Sequence, residues 1–190
     1  MRIRLKYNAP VILTFALLCL VVLGISELTG YGFASRYFVT HRGPLTSPLT
    51  YLTMFTYVLG HASWQHFMSN MMLLLLTGPV VEEKYGSKNT ILIIVITAFA
   101  TALVNMLVTS DGLIGCSGVV FAFIILCSMT SFSRGEIPLT MILVVLLYLG
   151  QEVAAGLFTA DNVSQMAHIV GGILGAVFGF LLEGGKKRLI

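Results

Sequence analysis

Apolar residues run along this chain in long unbroken stretches, and polar side chains gather between them. Six stretches stand out, at about 9 to 28, 62 to 81, 89 to 109, 116 to 132, 137 to 158 and 165 to 183. Each is close to the ~20 residues with which an α-helix crosses ~30 Å of hydrocarbon. The two-residue alternation of a membrane β-barrel is missing. The pattern predicts an all-α polytopic membrane protein with six transmembrane helices, forming a single domain over residues 1–190. The first stretch follows Arg2, Arg4 and Lys6, as a signal peptide would. Its apolar length exceeds the 7 to 15 residues of a cleaved segment, so it reads as a retained first helix.

Most connections are short, but the one over 29–61 is long and holds Pro44, Pro48, Tyr31, Phe33, Tyr37, Phe38, Tyr51, Phe55 and Tyr57. Aromatic side chains of this kind suit the membrane interface, which predicts a structured piece lying on or in the outer leaflet. With the N-terminus inside, the inner segments carry Arg2, Arg4, Lys6, Lys84, Lys88, Arg134, Lys186, Lys187 and Arg188, against Arg36 and Arg42 outside. By the positive-inside rule both termini are cytoplasmic, and spans two, four and six run inward from the outer face.

Composition removes other classes. Of 190 residues 57% are apolar and 10% charged, against about 25% charged in soluble domains. A soluble globule, a disordered chain and a disulfide scaffold are excluded. Cys19, Cys116 and Cys127 have no metal-site or redox-pair spacing. The net charge of +3 sits at segment ends and forms no stripe for nucleic acid.

Polar groups inside a span are costly, so the few present are informative. Span two opens with His61, His66 and Asn70, span four with Gly115, Cys116, Ser117 and Gly118, and span six with Gln165, Ala167 and His168. Taken singly, each is explained by helix packing or a hydrogen bond to a neighbouring carbonyl. Together they lie at one depth, about 10 Å below the outer surface at 1.5 Å per residue. His168, Gly171 and Gly175 share one helix face, Gly118 and Ala122 form a small-residue pair, and His66 and Asn70 stand at i and i+4. Close packing of spans four and six along these seams predicts hydrogen-bonding reach between Ser117 and His168.

That chemistry is nucleophilic. A serine hydroxyl needs a base, and an imidazole titrating near neutrality can take its proton and pass it to a leaving amine. The helix N-terminus at Ser117 favours a developing oxyanion, and His66 and Asn70 can add donors. Asp111 and Asp161 fall in outer loops and Glu152 in span five, so the unit is a Ser-His dyad without a carboxylate. Cys116 is the other possible nucleophile, but it points about 100° away from Ser117. Peptide hydrolysis at this depth also needs a water-filled cavity open to the outer face.

The sequences Gly115-Cys116-Ser117-Gly118, Ala167-His168-Ile169-Val170-Gly171 with Gly175, and His61, His66 and Asn70 resemble the signature of rhomboid intramembrane serine proteases in their minimal six-span bacterial form. The resemblance implies Ser117 as nucleophile, His168 as general base, and His66, Asn70 and the Ser117 N–H as oxyanion hole. It implies cleavage of transmembrane segments of other membrane proteins near their outer end. Entry would be by movement of span five and the loop after it. Gly115, Gly118, His61, Phe121 and Gly171 support the site, Glu82 matches a structural acid, and neither metal nor organic cofactor is expected. The partners are membrane-protein substrates and the bilayer, in a bacterial inner membrane. The chain departs from the family at Leu52-Thr53, where a Trp-Arg pair is usual, and at Phe121, where a Tyr is common.

Two alternatives belong to other classes. A catalytically silent relative would bind transmembrane clients without cutting them, though such relatives typically lack the Ser or the His. A transporter or channel fits poorly, because the inner half of the spans carries no polar path and no repeat divides the chain.

Overall fold

The computed structural model describes residues 6–129, 139–144, 146–147 and 162–186, without the side chains of 141, 162–164 and 183–186. Glu152 and Asp161, and most of the expected fifth span, lie outside the described residues. The helices are α1 (Pro10–Leu28), α2 (Gly32–Tyr37), α3 (Pro48–Thr56), α4 (Trp64–Tyr85), α5 (Ser87–Val108), α6 (Ser117–Ser128), α7 (Leu139–Val144) and α8 (Asn162–Lys186). A single 3-10 turn, Tyr57–Leu59, follows α3.

Among the described residues three helices are long and apolar enough to cross a membrane: Pro10–Leu28, Ser87–Val108 and the Gln165–Leu182 part of α8. Two expected spans differ for physical reasons. The 22-residue α4 has the length, but His66, Asn70 and Glu82 dilute its apolar character. At 12 residues, α6 extends only about 18 Å, and it ends at Ser128 rather than near 132.

The helices are sorted by polarity in the sense that a bilayer demands. On α5, the buried face carries Thr90, Thr97, Thr101 and Asn105, while Ile91, Leu92, Val95, Phe99, Leu103 and Leu107 point outward. Small polar residues between helices and large apolar ones outside are the reverse of a water-soluble bundle. The centre is α6, whose residues Gly118 to Leu126 are all buried. It packs chiefly against α8 and then α4, with α1 behind α4 and α5 beside α8.

Helix ends are tied by side chains from elsewhere in the chain. The first backbone N–H groups of a helix have no internal partner, and the N-cap of α1, Ala9, supplies no side-chain bond. Buried Glu82 fills this role: its carboxylate accepts from Val11 N and Ile12 N, each at 3.1 Å, and from Ser87 Oγ at 2.8 Å. Two residues on, Lys84 Nζ donates to the carbonyl of Met129 at the end of α6, at 3.2 Å. An anion at one helix start and a cation at another helix end both match the helix dipole.

The 29–61 connection is folded. Arg42 donates from Nε to Met106 O at 2.6 Å and from Nη2 to Leu107 O at 2.9 Å, covering the last carbonyls of α5. Thr40 and Leu113 exchange backbone hydrogen bonds of 3.0 and 2.9 Å, forming an antiparallel bridge. Leu52 and Thr53 sit in α3, and Arg42 ties the connection to the end of α5.

Candidate active site

Ser117 is the first residue of α6, with Cys116 as its N-cap, so the helix N-terminus lies where the spacing predicts. Ser117 is half-buried, whereas Gly115, Cys116 and Gly118 are buried. Gly115 has φ +113°, a conformation costly for any residue with a Cβ. Its N–H donates to Tyr57 O at 3.0 Å, so the end of the 29–61 connection helps to set the turn into Ser117. Burial pushes the Tyr57 phenol up from its ordinary range, and its hydroxyl donates to Ala98 O at 3.2 Å.

His66 and Asn70 converge on the same turn. A Cβ on Gly115 would stand 2.6 Å from His66 Cε1, 2.8 Å from His66 Nε2 and 3.8 Å from Asn70 Nδ2. Glycine is thus required here by backbone conformation and by space. Ser63 caps α4 by accepting from His66 N at 3.1 Å, which fixes where the helix starts and so where the imidazole stands. Ala62 N donates to His66 Nδ1 over a long 3.5 Å. An accepting Nδ1 leaves the proton on Nε2, the nitrogen that faces Gly115. Asn70 Nδ2 donates to His66 O at 3.1 Å and retains a second N–H.

His168 approaches from α8. Its ring stacks on Phe121, with centroids 4.1 Å apart and planes 6° apart. Phe121 stands at i+4 from Ser117, so the histidine lies over the helix face that carries the serine. The helices meet backbone to backbone: a Cβ on Gly118 would stand 3.1 Å from Ala167 O, one on Gly171 2.0 Å from Gly118 O, and one on Gly175 2.5 Å from Ala122 O. The seam continues to Gly179, against Met129.

His61 stands behind the site. Fully buried, it packs edge-on against His66 and Phe67, and its Nε2 is 3.7 Å from Cys116 Sγ. Cys116 is itself fully buried, with its Sγ on the His61 side. Among the described residues no His, Cys, Asp or Glu cluster has the arrangement of a metal site.

Sequence reasoning missed Tyr57, Ser63, Thr40 and Arg42 as supports of this site. Three act through backbone atoms or a cap and leave little trace in composition. Arg42 did leave one, being one of two basic residues in a connection that the positive-inside reading puts outside.

The sequence model of the Rhomboid domain family matches residues 48–184. Rhomboid-like protein 11, chloroplastic, of Arabidopsis thaliana is 27% identical over 138 residues, covering 65% of this chain and 49% of that protein. The chain spans about half the length of this curated relative.

Proposed function

The chain belongs to the rhomboid family, and from that membership and the groups around Ser117 we propose that it is an intramembrane serine endopeptidase. It cuts transmembrane segments of other membrane proteins near their outer end. The observation that carries the reading is the stacking of His168 on Phe121, one turn beyond Ser117 on the same helix face.

Ser117 Oγ attacks the scissile carbonyl as His168 takes its proton. In this reading the charge that develops on the carbonyl oxygen is met by the Ser117 N–H at the helix start, His66 Nε2–H and the second N–H of Asn70. His168 then gives its proton to the leaving amine, and the acyl-enzyme forms. Water, activated by the same imidazole, releases the second product and returns the proton to Ser117. Phe121 holds the imidazole plane, so part of the orientation is set before substrate arrives.

In this reading the chain is one six-span domain with both termini cytoplasmic, in a bacterial inner membrane, and its site opens to the outer face. The positive-inside distribution supports the orientation, and the apolar exterior of α1, α5 and α8 supports the bilayer.

The test uses the purified protein in liposomes with a model transmembrane substrate and a fluorophosphonate probe, beside Ser117→Ala, His168→Ala and Cys116→Ala. Cleavage and labelling by wild type and Cys116→Ala, lost in the other two, are expected. Cleavage that survives Ser117→Ala sinks the assignment. An inert wild type that still retains the substrate makes the chain a client-binding member of the family.

A further inference from the structure

A groove of about 510 Å³ opens between α1 and α5, away from Ser117, walled by Val11, Phe15 and Leu18 on one side and Ile91, Ile94 and Val95 on the other. Glu82 explains it. By binding the first N–H groups of α1 and the Ser87 hydroxyl, it draws the two helix starts together, so both helices leave in one direction. Beyond that tie they touch little. The volume lies in the ligand range of roughly 300–1,000 Å³.

Its length selects the occupant. The groove runs from Pro10 to Leu18 and from Ser87 to Val95, about 12 Å at 1.5 Å per residue. A partner's transmembrane helix needs contact over ~30 Å, whereas the acyl region of one leaflet is about half of that. Charge selects the headgroup. Lys6, four residues before Pro10, and Lys88, next to Ser87, are both exposed at the end where the helices start. Lys84 is engaged elsewhere, on Met129 O. Tyr7 lies at the same end, its hydroxyl 3.0 Å from Thr14 Oγ1, with an aromatic ring suited to the interface.

We propose that this groove holds an acyl chain of an anionic phospholipid from the leaflet where α1 and α5 begin, with the phosphate at Lys6 and Lys88. The inference rests on the chain spanning a bilayer and is independent of catalysis.

The experiment uses the Ser117→Ala protein in a neutral detergent. Native mass spectrometry reads binding of phosphatidylglycerol and of phosphatidylcholine with identical acyl chains. One phosphatidylglycerol is retained in preference, and Lys6→Ser and Lys88→Ser each reduce that preference roughly fivefold at low salt. Thr14→Trp, which projects an indole into the groove, reduces binding of both lipids. If this variant fails to fold, the two lysine variants decide. Equal retention of the two lipids, or a preference unchanged by the lysine substitutions, overturns the proposal. A dimer mass in place of a lipid adduct overturns it too, since a second copy would then fill the groove. Because the protein tested carries no nucleophile, failure of the protease reading leaves this outcome unaffected.

Discussion

The ring of Phe121 lies nearly parallel to the imidazole of His168, 4.1 Å between centroids. Such a contact adds about 0.5–1.5 kcal/mol beyond the area it buries, and here it also fixes the plane of a group that must exchange protons. Phe121→Ala is expected to lower the rate of fluorophosphonate labelling of Ser117 by roughly tenfold or more, the equivalent of about 1.4 kcal/mol. Phe121→Tyr, which keeps the ring, should label like wild type. Equal rates for all three proteins would leave the stacking without a role in orientation.

Asn70→Ala separates chemistry from folding. One oxyanion donor is worth about 10²–10³ in kcat where it has been removed from other hydrolases. Turnover of a transmembrane substrate should fall within that range, while the denaturation midpoint moves little, because the bond lost is a local one to His66 O. Parallel losses in turnover and stability would make Asn70 a structural residue.

The seam between α6 and α8 predicts a graded series. Gly171→Ala brings a Cβ to 2.0 Å from Gly118 O, Gly175→Ala brings one to 2.5 Å from Ala122 O, and Gly24→Ala meets nothing within 4 Å. Overpacking costs about 1–3 kcal/mol, and more where the obstacle is backbone that cannot turn aside. Stability in mixed detergent should fall in the order Gly171→Ala, Gly175→Ala, Gly24→Ala, with the last near wild type. Loss of activity should follow the same order, since the seam also carries His168.

Glu82→Ala strips the partners from two N–H groups of α1 and from Ser87 Oγ. The Ile12 N–H is the buried one of the three, and orphaning a buried donor costs about 1–3 kcal/mol, so a loss of roughly 2 kcal/mol is expected in reversible unfolding. Glu82→Gln keeps an acceptor oxygen and should lose less. An Ala variant as stable as wild type would mean that water replaces the carboxylate.

Arg42→Ala frees the C-terminal carbonyls of α5 and loosens the 29–61 connection. Limited proteolysis should cut this connection faster in Arg42→Ala than in wild type. Arg42→Lys, with a single compact ammonium in place of the two-pronged guanidinium, should be intermediate. No change in cleavage would place the anchoring of the connection on its other ties, the Thr40–Leu113 bridge and the bonds of Tyr57 to Gly115 and Ala98.

Much of the site could be read from the sequence because helices are periodic. His66 with Asn70, and His168 with Gly171 and Gly175, are related by three or four residues, and a regular helix converts that spacing into a shared face. The small residues of α8 also identified the seam, since only Gly or Ala lets two helix backbones touch. Contacts between a side chain and a distant backbone were not legible. Arg42 reaches Met106 and Leu107, and Glu82 reaches Val11 and Ile12, some 64 to 71 positions away. Carbonyls and N–H groups are the same at every position, so no residue type marks which helix end will be near.

The sequence by itself determined that this chain is helical, that its long apolar segments belong in a bilayer, and which polar side chains inside them call for a partner, because hydrophobic length and the cost of buried polarity are local properties. Only the tertiary structure decided which ring lies on His168, that Cys116 meets His61, how the 29–61 connection is pinned and where a groove remains between α1 and α5. Those depend on how rigid helices of unequal length pack around α6, and packing is settled by all of their side chains at once.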